Sequence, residues 1–167
     1  MILGVDPGLD RTGYAVIEMP GRKVLDAGLI RSTETGPLAE RLADIDAGLA
    51  EVLREHAVDL VAVEDLYAHY KHPRTAILMG HARGVILLAA ARRKIDVMSL
   101  PATRIKKALT GNGHASKVQM QRAILATLRL STLPEPADVA DALAVALCAT
   151  HASRPGERTA PVESGRS

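Results

Sequence analysis

The sequence contains no phenylalanine and no tryptophan, and three tyrosines are its only aromatic residues. Aliphatic side chains must therefore fill the interior of the folded protein. The single cysteine, Cys148, excludes a disulfide framework and a multi-cysteine zinc site, and it suits a reducing cytoplasm. The longest apolar run, around 84–91, is far too short to span a membrane, and no charged-then-apolar leader opens the chain. We therefore expect a cytoplasmic protein with no membrane partner.

The chain has 167 residues, of which 47% are hydrophobic and 24% charged. It is long enough to bury the core of one domain, and it is too apolar to be a largely disordered chain. Residues 153–167 are rich in glycine, proline, serine, arginine and glutamate. We therefore expect a folded domain over residues 1–152 and a flexible C-terminal tail over residues 153–167.

Acidic residues are almost missing from the middle of the chain. Between Leu66 and Arg122, eleven lysines and arginines face a single acid, Asp96, so this segment carries a charge of +10. Because the whole chain carries +2, the remainder carries −8. Such a separation favours a polyanionic partner such as nucleic acid, although solvated helix faces also produce basic runs.

The hydrophobic pattern predicts five strands and five helices. The predicted strands cover residues 1–5, 14–19, 24–30, 59–64 and 95–100, and the predicted helices cover residues 37–56, 74–93, 103–109, 117–128 and 137–151. Tight turns join the first three strands into an antiparallel meander. The fourth strand is nearly all apolar and follows a helix, which favours burial on both faces and parallel pairing with the first strand. This order predicts an α/β fold with a mixed five-stranded sheet flanked by helices.

Four acidic residues stand where a sheet of this kind binds ligands. Asp6 ends the first strand and Glu64 ends the fourth, so both lie at one edge if these strands are parallel neighbours. Asp138 and Asp141 are three residues apart in an apolar helix, which puts them on one face. Carboxylates crowded together repel one another, and they are hard ligands suited to Mg²⁺ or Mn²⁺.

Each acid alone also has a structural interpretation. Asp6 precedes Pro-Gly and suits a turn, whereas Asp138 and Asp141 suit the start of a helix. Glu64 is harder to explain in this way, because a buried carboxylate is costly unless it is paired. The combination of two strand-end acids with a helical pair therefore favours a metal site.

Two tyrosines follow the fourth strand within a basic segment. Tyr67 and Tyr70 lie close to Lys71 and Arg74. An aromatic ring among basic residues offers a nucleic-acid base a stacking surface, and the alternative is that the rings cap the core.

A glycine-rich segment at 111–113 predicts a flexible loop with lysines on both sides. Lys106 and Lys107 precede the loop and Lys117 follows it. Such a loop can cradle a phosphate backbone, and the alternative is a plain helix-loop-helix with solvated lysines.

The second predicted helix contains small residues four apart, Gly80 and Gly84, close to Ile77. Small residues at this spacing let two helices approach closely. Arg83 interrupts the pattern, so the membrane-dimer motif of similar form does not apply. We interpret this face as packing within the domain or as the interface of a homodimer.

Five sequence blocks together resemble the RuvC family of Holliday junction resolvases. The blocks are ILGVDPGLDRTGYAVIE, LVAVEDLY, GHARGVIL, IKKALTGNGHASKVQMQ and ADVADALAVAL, and they cover roughly residues 1–151 in order. Other ribonuclease-H-like proteins open in a similar way, whereas the glycine–lysine block and the final block together are specific. The resemblance implies a ribonuclease-H-like fold. It also implies a homodimeric, Mg²⁺-dependent endonuclease that cuts two opposed strands of a four-way DNA junction in recombination and repair.

The resemblance also implies a catalytic centre. Asp6, Glu64, Asp138 and Asp141 match the family's catalytic acids. On this basis we expect two Mg²⁺ ions per subunit, for which Mn²⁺ can substitute. Asp6 would bridge both ions, Glu64 would hold one, and the helical pair would hold the other. We expect Lys117 to neutralise charge near the phosphate.

The same resemblance implies partners and contact residues. Tyr67 stands where the family often has a phenylalanine that stacks at the crossover, and a tyrosine ring can still stack. The expected DNA contacts are Tyr67, Lys71, Arg74, Lys106, Lys107 and Lys117, and the expected dimer contacts are Ile77, Gly80 and Gly84. A branch-migration helicase complex is a further partner that the family implies.

Two other functions are compatible with the residues. A ribonuclease-H-like nuclease of the YqgF type would act on structured RNA, but the long basic surface and the block around Lys117 argue against it. An actin-like or kinase-like protein would bind ATP phosphates with the turn after Asp6, but such proteins usually need two lobes and a longer chain. A junction-binding protein without activity is disfavoured by the four acids.

Overall fold

A five-stranded mixed sheet forms the centre of the protein, which we describe from a computed structural model over residues 1–33, 35–66 and 73–152. The strands lie in the order β3-β2-β1-β4-β5. They are β1 (Ile2–Asp6), β2 (Arg11–Glu18), β3 (Lys23–Arg31), β4 (Leu60–Glu64) and β5 (Asp96–Leu100). The helices are α1 (Leu38–Glu55), α2 (Pro73–Arg92), α3 (Ala102–Thr110), α4 (Lys117–Leu128) and α5 (Ala137–Ala152).

The sheet is antiparallel on one side and parallel on the other. β1 pairs antiparallel with β2 and parallel with β4, and β4 in turn pairs parallel with β5. β2 and β3 complete the antiparallel meander. The predicted α/β architecture and the predicted parallel pairing of the first and fourth strands are therefore confirmed.

Helices cover both faces of the sheet, which explains why the central strands are almost entirely apolar. On one face α5 packs with α3 and α4 in a core that includes Ile17, Leu100 and Leu143. On the other face α1 and α2 pack against Leu3 and Val61. The two cores share no residue, because successive strand residues point to opposite faces. Aliphatic side chains dominate both interiors, as the lack of phenylalanine and tryptophan requires.

The connection between β1 and β2 is tighter than the sequence suggests. The pattern predicts a turn through Gly13, but β2 already begins at Arg11 and Gly13 pairs with Asp6. The Thr12 hydroxyl donates a hydrogen bond of 2.7 Å to the Gly8 carbonyl, which closes the short turn. The other predicted boundaries agree with the structure to within one or two residues. Tyr67, Lys71 and the predicted tail at 153–167 lie outside the described residues.

Candidate active site

Two strand-end acids lie next to each other because β1 pairs with β4. The strands are parallel, with Val5 opposite Val63, so the next residue of each strand reaches the same edge of the sheet. Those residues are Asp6 and Glu64. Both are partly buried, and both line a cavity of about 220 Å³ beside this edge.

Helix α5 lies directly on β1 and β2, and it therefore brings its two acids, Asp138 and Asp141, to the same edge. A Cβ atom on Gly13 would stand 2.1 Å from the Asp138 carbonyl oxygen, and one on Gly4 would stand 2.4 Å from the Ala142 carbonyl oxygen. Only glycine leaves room for a helix backbone at this distance. Gly13 is opposite Asp6 in the sheet, so the first turn of α5 lies over the strand-end acids.

Burial and neighbouring carboxylates raise the pKa of Asp6, Glu64 and Asp141. Burial and the charges of the three neighbouring acids raise the pKa of Asp6 to about 7. Burial and the charge of Asp141 raise the pKa of Glu64. Burial also raises the pKa of Asp141, with a further contribution from Asp138. A cation bound between these carboxylates would favour their ionised forms and replace the protons that they otherwise bind.

Two lysines face the acids across a cleft of about 300 Å³. Lys106 of α3 and Lys117 of α4 line this cleft together with Glu64 and Asp141. The charge of Lys117 partly offsets the rise in the pKa of Asp6 and of Asp141, and the charge of Lys106 partly offsets the rise for Glu64. In each case burial and the other acids have the larger effect. The cleft therefore combines anionic oxygens with two cationic side chains.

Hydrogen bonds shape the loop that carries these lysines. Thr110 donates its hydroxyl hydrogen to the Lys106 carbonyl at 2.7 Å, and the Asn112 amide donates to the Thr110 hydroxyl oxygen at 3.1 Å. Gly111 ends α3 with φ of 77°, a left-handed conformation that favours glycine. A capping box between Ser116 and Gln119 starts α4. The loop that the sequence predicts to be flexible is thus a hydrogen-bonded connection that fixes where Lys117 begins α4.

The donor set at the sheet edge fits a hard divalent cation. Carboxylate oxygens are the ligands that Mg²⁺ and Mn²⁺ prefer. Burial and mutual repulsion raise the pKa of Asp6, Glu64 and Asp141, and a bound cation would offset both effects.

A second group of potential ligands lies away from this edge. The ligand atoms of Asp26, Glu55 and His56 all lie within 4.8 Å of one another. Asp26 Oδ2 and His56 Nε2 are 3.3 Å apart, and this pair ties the end of α1 to β3. No motif in the sequence points to this group, because Asp26 lies in β3 and the other two residues lie at the end of α1, and only the fold brings them together.

The predicted DNA-contact residues divide into two sets. Lys106 and Lys117 line the acidic cleft. Arg74 and Lys107 are exposed and line neither cavity described above.

Two arginines that are not among the predicted site residues contact acids at this edge. Arg11 Nε lies 3.7 Å from Asp138 Oδ2. Arg83 Nη2 lies 3.0 Å from Asp65 Oδ1, so the Asp65 side chain is paired with a cation. Both arginines approach their partners from a different element, so spacing along the chain gives no signal for either.

Helix α2 turns an apolar stripe away from the core. Ile77 is 62% exposed and Leu88 is 47% exposed, while a Cβ atom on Gly84 would meet nothing within 4 Å. Gly80 lies nearer the domain, where its Cβ would stand 3.8 Å from Leu66 Cδ1. By length and composition the segment Arg74–Arg92 could cross a membrane. However, the Arg83 ion pair and the packing of α2 on α1 hold this helix in the domain.

Comparisons with known proteins give relatives that match most of this chain. The sequence profile of the family described as "Crossover junction endodeoxyribonuclease RuvC" matches residues 2–149. A crossover junction endodeoxyribonuclease RuvC of Rhodopirellula baltica is 56% identical over 149 residues, which cover 88% of this chain and 84% of the relative.

Solved structures extend the likeness to the fold. The Thermus thermophilus RuvC structure superposes with a TM-score of 0.83 at 31% identity, covering 93% of this chain and 96% of that one. The same protein in complex with Holliday junction substrate gives a TM-score of 0.84 at 32% identity, covering 90% of this chain and 93% of that one. These likenesses identify the sheet and its helices as the ribonuclease-H-like fold and do not favour the YqgF-type alternative. The chain belongs to the RuvC family of crossover junction endodeoxyribonucleases.

Proposed function

We propose that this protein resolves four-way DNA junctions by paired symmetric nicks, and that Asp6, Glu64, Asp138 and Asp141 carry the chemistry. The observation that carries the proposal is the convergence of the two strand-end acids and the α5 pair at one sheet edge, where the pKa of Asp6 rises to about 7. Family membership supplies the substrate class.

The four acids are proposed to hold two Mg²⁺ ions, for which Mn²⁺ can substitute. When bound, the metal supplies Lewis-acid activation of water and stabilises charge on the leaving oxygen of the phosphodiester. Asp6 is central in this arrangement because all three other acids act on it electrostatically. Lys117 faces the same cleft and is placed to neutralise charge on the phosphate.

The basic middle of the chain is proposed to hold the DNA. Lys106 and Lys117 would contact the phosphates next to the acids, while Lys107 and Arg74, both exposed, would contact more distant phosphates. Tyr67 and Lys71 complete the proposed contact set, with the Tyr67 ring stacking on an unstacked base at the crossover.

The functional unit is proposed to be a homodimer that joins through the apolar stripe of α2. A two-fold dimer matches the near two-fold symmetry of a four-way junction, so each subunit would cut one strand. Ile77, Gly80 and Gly84 are the proposed contacts, and Leu88 extends the same stripe. A cytoplasmic location and a branch-migration helicase partner follow from the family and belong to this proposal.

A binding and cleavage assay with a synthetic four-way junction tests the catalytic site. Asp6→Asn and Glu64→Gln remove one negative charge each and keep the side-chain shape. We expect junction binding to stay near the wild-type level, because the basic surface is unchanged. Cleavage in Mg²⁺ should fall by at least about a hundredfold, the scale of losing metal-based transition-state stabilisation.

Asp59→Asn is a matched control for these variants. Asp59 is an exposed acid at the opposite end of β4, where it pairs with the amino terminus of Met1. This variant should cleave at the wild-type rate. Near-normal cleavage by Asp6→Asn or Glu64→Gln would rule out the proposed site, and equal cleavage of a structured RNA would favour the YqgF-type function instead.

A further inference from the structure

An arginine of α2 reaches back to the ends of two adjacent strands of the sheet. Arg83 Nη2 donates hydrogen bonds to Asp65 Oδ1 at 3.0 Å and to Ser99 Oγ at 2.6 Å. Asp65 directly follows Glu64, the last residue of β4. Ser99 is the second-last residue of β5 and pairs with Val63. One side chain therefore links α2 to both strands at the edge that carries the acids.

The backbone after Glu64 is also bonded to β5. Glu64 is the last residue of β4 and pairs with Leu100, and the Asp65 amide then donates a hydrogen bond of 2.9 Å to the Leu100 carbonyl. The backbone after Glu64 is therefore held to β5 by Asp65, and the side chain of Asp65 is held by Arg83. Glu64 lies just before this double attachment.

The environment of Arg83 differs from that expected of an arginine that binds DNA. Its side chain is 21% exposed, and its Nε atom is buried without a hydrogen-bond partner among the described residues. The hydrogen bonds shown for Arg83 are those that Nη2 donates to Asp65 and Ser99. A phosphate in solvent does not reach a buried Nε.

We propose that Arg83 is a positioning residue, which fixes the Glu64 carboxylate at the sheet edge by holding Asp65 and Ser99. This inference rests on the proposed function, in which Glu64 is a metal ligand. Residues that orient a ligand from outside the coordination sphere typically change metal affinity by about 10–100-fold when they are removed. Lysine cannot replace arginine fully, because its single ammonium group lacks the planar set of donors.

Manganese binding measured by calorimetry on the DNA-free protein tests this role without relying on catalysis. Arg83→Gln should weaken Mn²⁺ binding at least about tenfold, and Arg83→Lys should recover part of that loss. Asp65→Asn keeps an oxygen acceptor for Arg83 and should have a smaller effect. In cleavage assays Arg83→Gln should lower kcat at saturating junction and leave KM for the junction near wild type.

Arg92→Gln is the matched control, because Arg92 lies on the same helix and forms an arginine–aspartate pair with Asp46 at 3.2 Å, remote from the acids. Thermal melts of both variants separate a folding effect from a positioning effect. If Arg83→Gln binds Mn²⁺ as tightly as Arg92→Gln does while Glu64→Gln binds it weakly, the role of Arg83 is wrong and the metal site stands. If Glu64→Gln also binds Mn²⁺ normally, the proposed metal site itself is wrong.

Discussion

Ionised Asp6 destabilises the folded protein when no metal is bound, and a cation bound by the acids would remove this destabilisation. Its pKa rises from an ordinary value of 3.8 to about 7, first because of burial and then because of three neighbouring carboxylates. An acid whose pKa is higher in the folded state binds its proton more tightly there than in the unfolded chain. The folded state therefore loses stability, relative to low pH, as the pH rises from about 3.8 through about 7.

This linkage predicts that Asp6→Asn stabilises the metal-free protein at pH 8. The variant removes the cost of ionising a buried group, for which roughly 4 kcal/mol is an upper limit from the pKa difference. The gain should shrink as the pH falls and should vanish below about pH 4, where wild-type Asp6 is protonated in both states. Urea unfolding at pH 4, 6 and 8 in the presence of a chelator measures this dependence.

Mg²⁺ provides the control for this experiment. At pH 8 it should stabilise the wild-type protein and have little effect on Asp6→Asn, because the variant lacks the proposed bridging charge. A difference in stability that stays constant from pH 4 to pH 8 would show that Asp6 has an ordinary pKa, and the electrostatic account of the site would be wrong.

At the level of single residues, the sequence identifies the acids at strand ends, but it does not identify the arginines that contact acids from other parts of the chain. Asp6 and Glu64 are predictable because each ends an apolar strand, and parallel strands end at one edge. Arg83 and Arg11 are not predictable in this way. Their partners, Asp65 and Asp138, lie in distant parts of the chain, so only the packing of the fold creates the contacts.

Helix α5 is the element whose position decides whether the four acids form one site. Its backbone rests on Gly4 and Gly13, and no side chain separates the helix from the sheet at these points. The sequence shows the helix and its two aspartates clearly through its apolar pattern. The two glycines look like ordinary turn or strand residues in the sequence, because their role depends on a helix more than a hundred residues later in the chain.

The contact predicts that Gly13→Ala displaces the start of α5 and impairs catalysis. The added Cβ would stand 2.1 Å from the Asp138 carbonyl oxygen, so the helix or the strand must move. A displacement of about 1 Å at a catalytic group can cost on the order of a hundredfold in rate. We expect cleavage to fall by at least about tenfold, with a smaller loss in junction binding.

Gly21→Ala is the control for this substitution, because a Cβ at that position meets nothing within 4 Å. It should leave cleavage and thermal stability at wild-type values. Gly13→Ala with normal cleavage would show that α5 can shift without disturbing the acids, and that close packing at this point does not define the site.

At the scale of the whole molecule, charge and apolar surface are separated. The chain segment from Leu66 to Arg122 carries +10 and supplies the lysines of the cleft, while the acids that they face belong mainly to the two ends of the chain. The apolar stripe on α2 belongs to neither the cleft nor the core. Composition predicts the charge separation directly. The exposure of the stripe depends on which face of α2 the sheet and α1 cover, and the sequence alone leaves packing within the domain and dimer contact equally open.

The α2 stripe predicts that Gly84→Leu weakens the dimer without unfolding the subunit. Within one chain the new side chain enters open space, because nothing lies within 4 Å of the Gly84 Cβ position. Across a close helix pair it would overpack the interface, at a cost of about 1–3 kcal/mol, which corresponds to roughly 5–150-fold in the dimer dissociation constant. Sedimentation velocity across a concentration series, with thermal melts on the same samples, measures both effects.

Gly21→Leu adds the same side chain at another open glycine and should leave the association unchanged. If Gly84→Leu associates as tightly as wild type, or if wild type sediments as a monomer both free and on junction DNA, then the stripe on α2 is not the dimer interface.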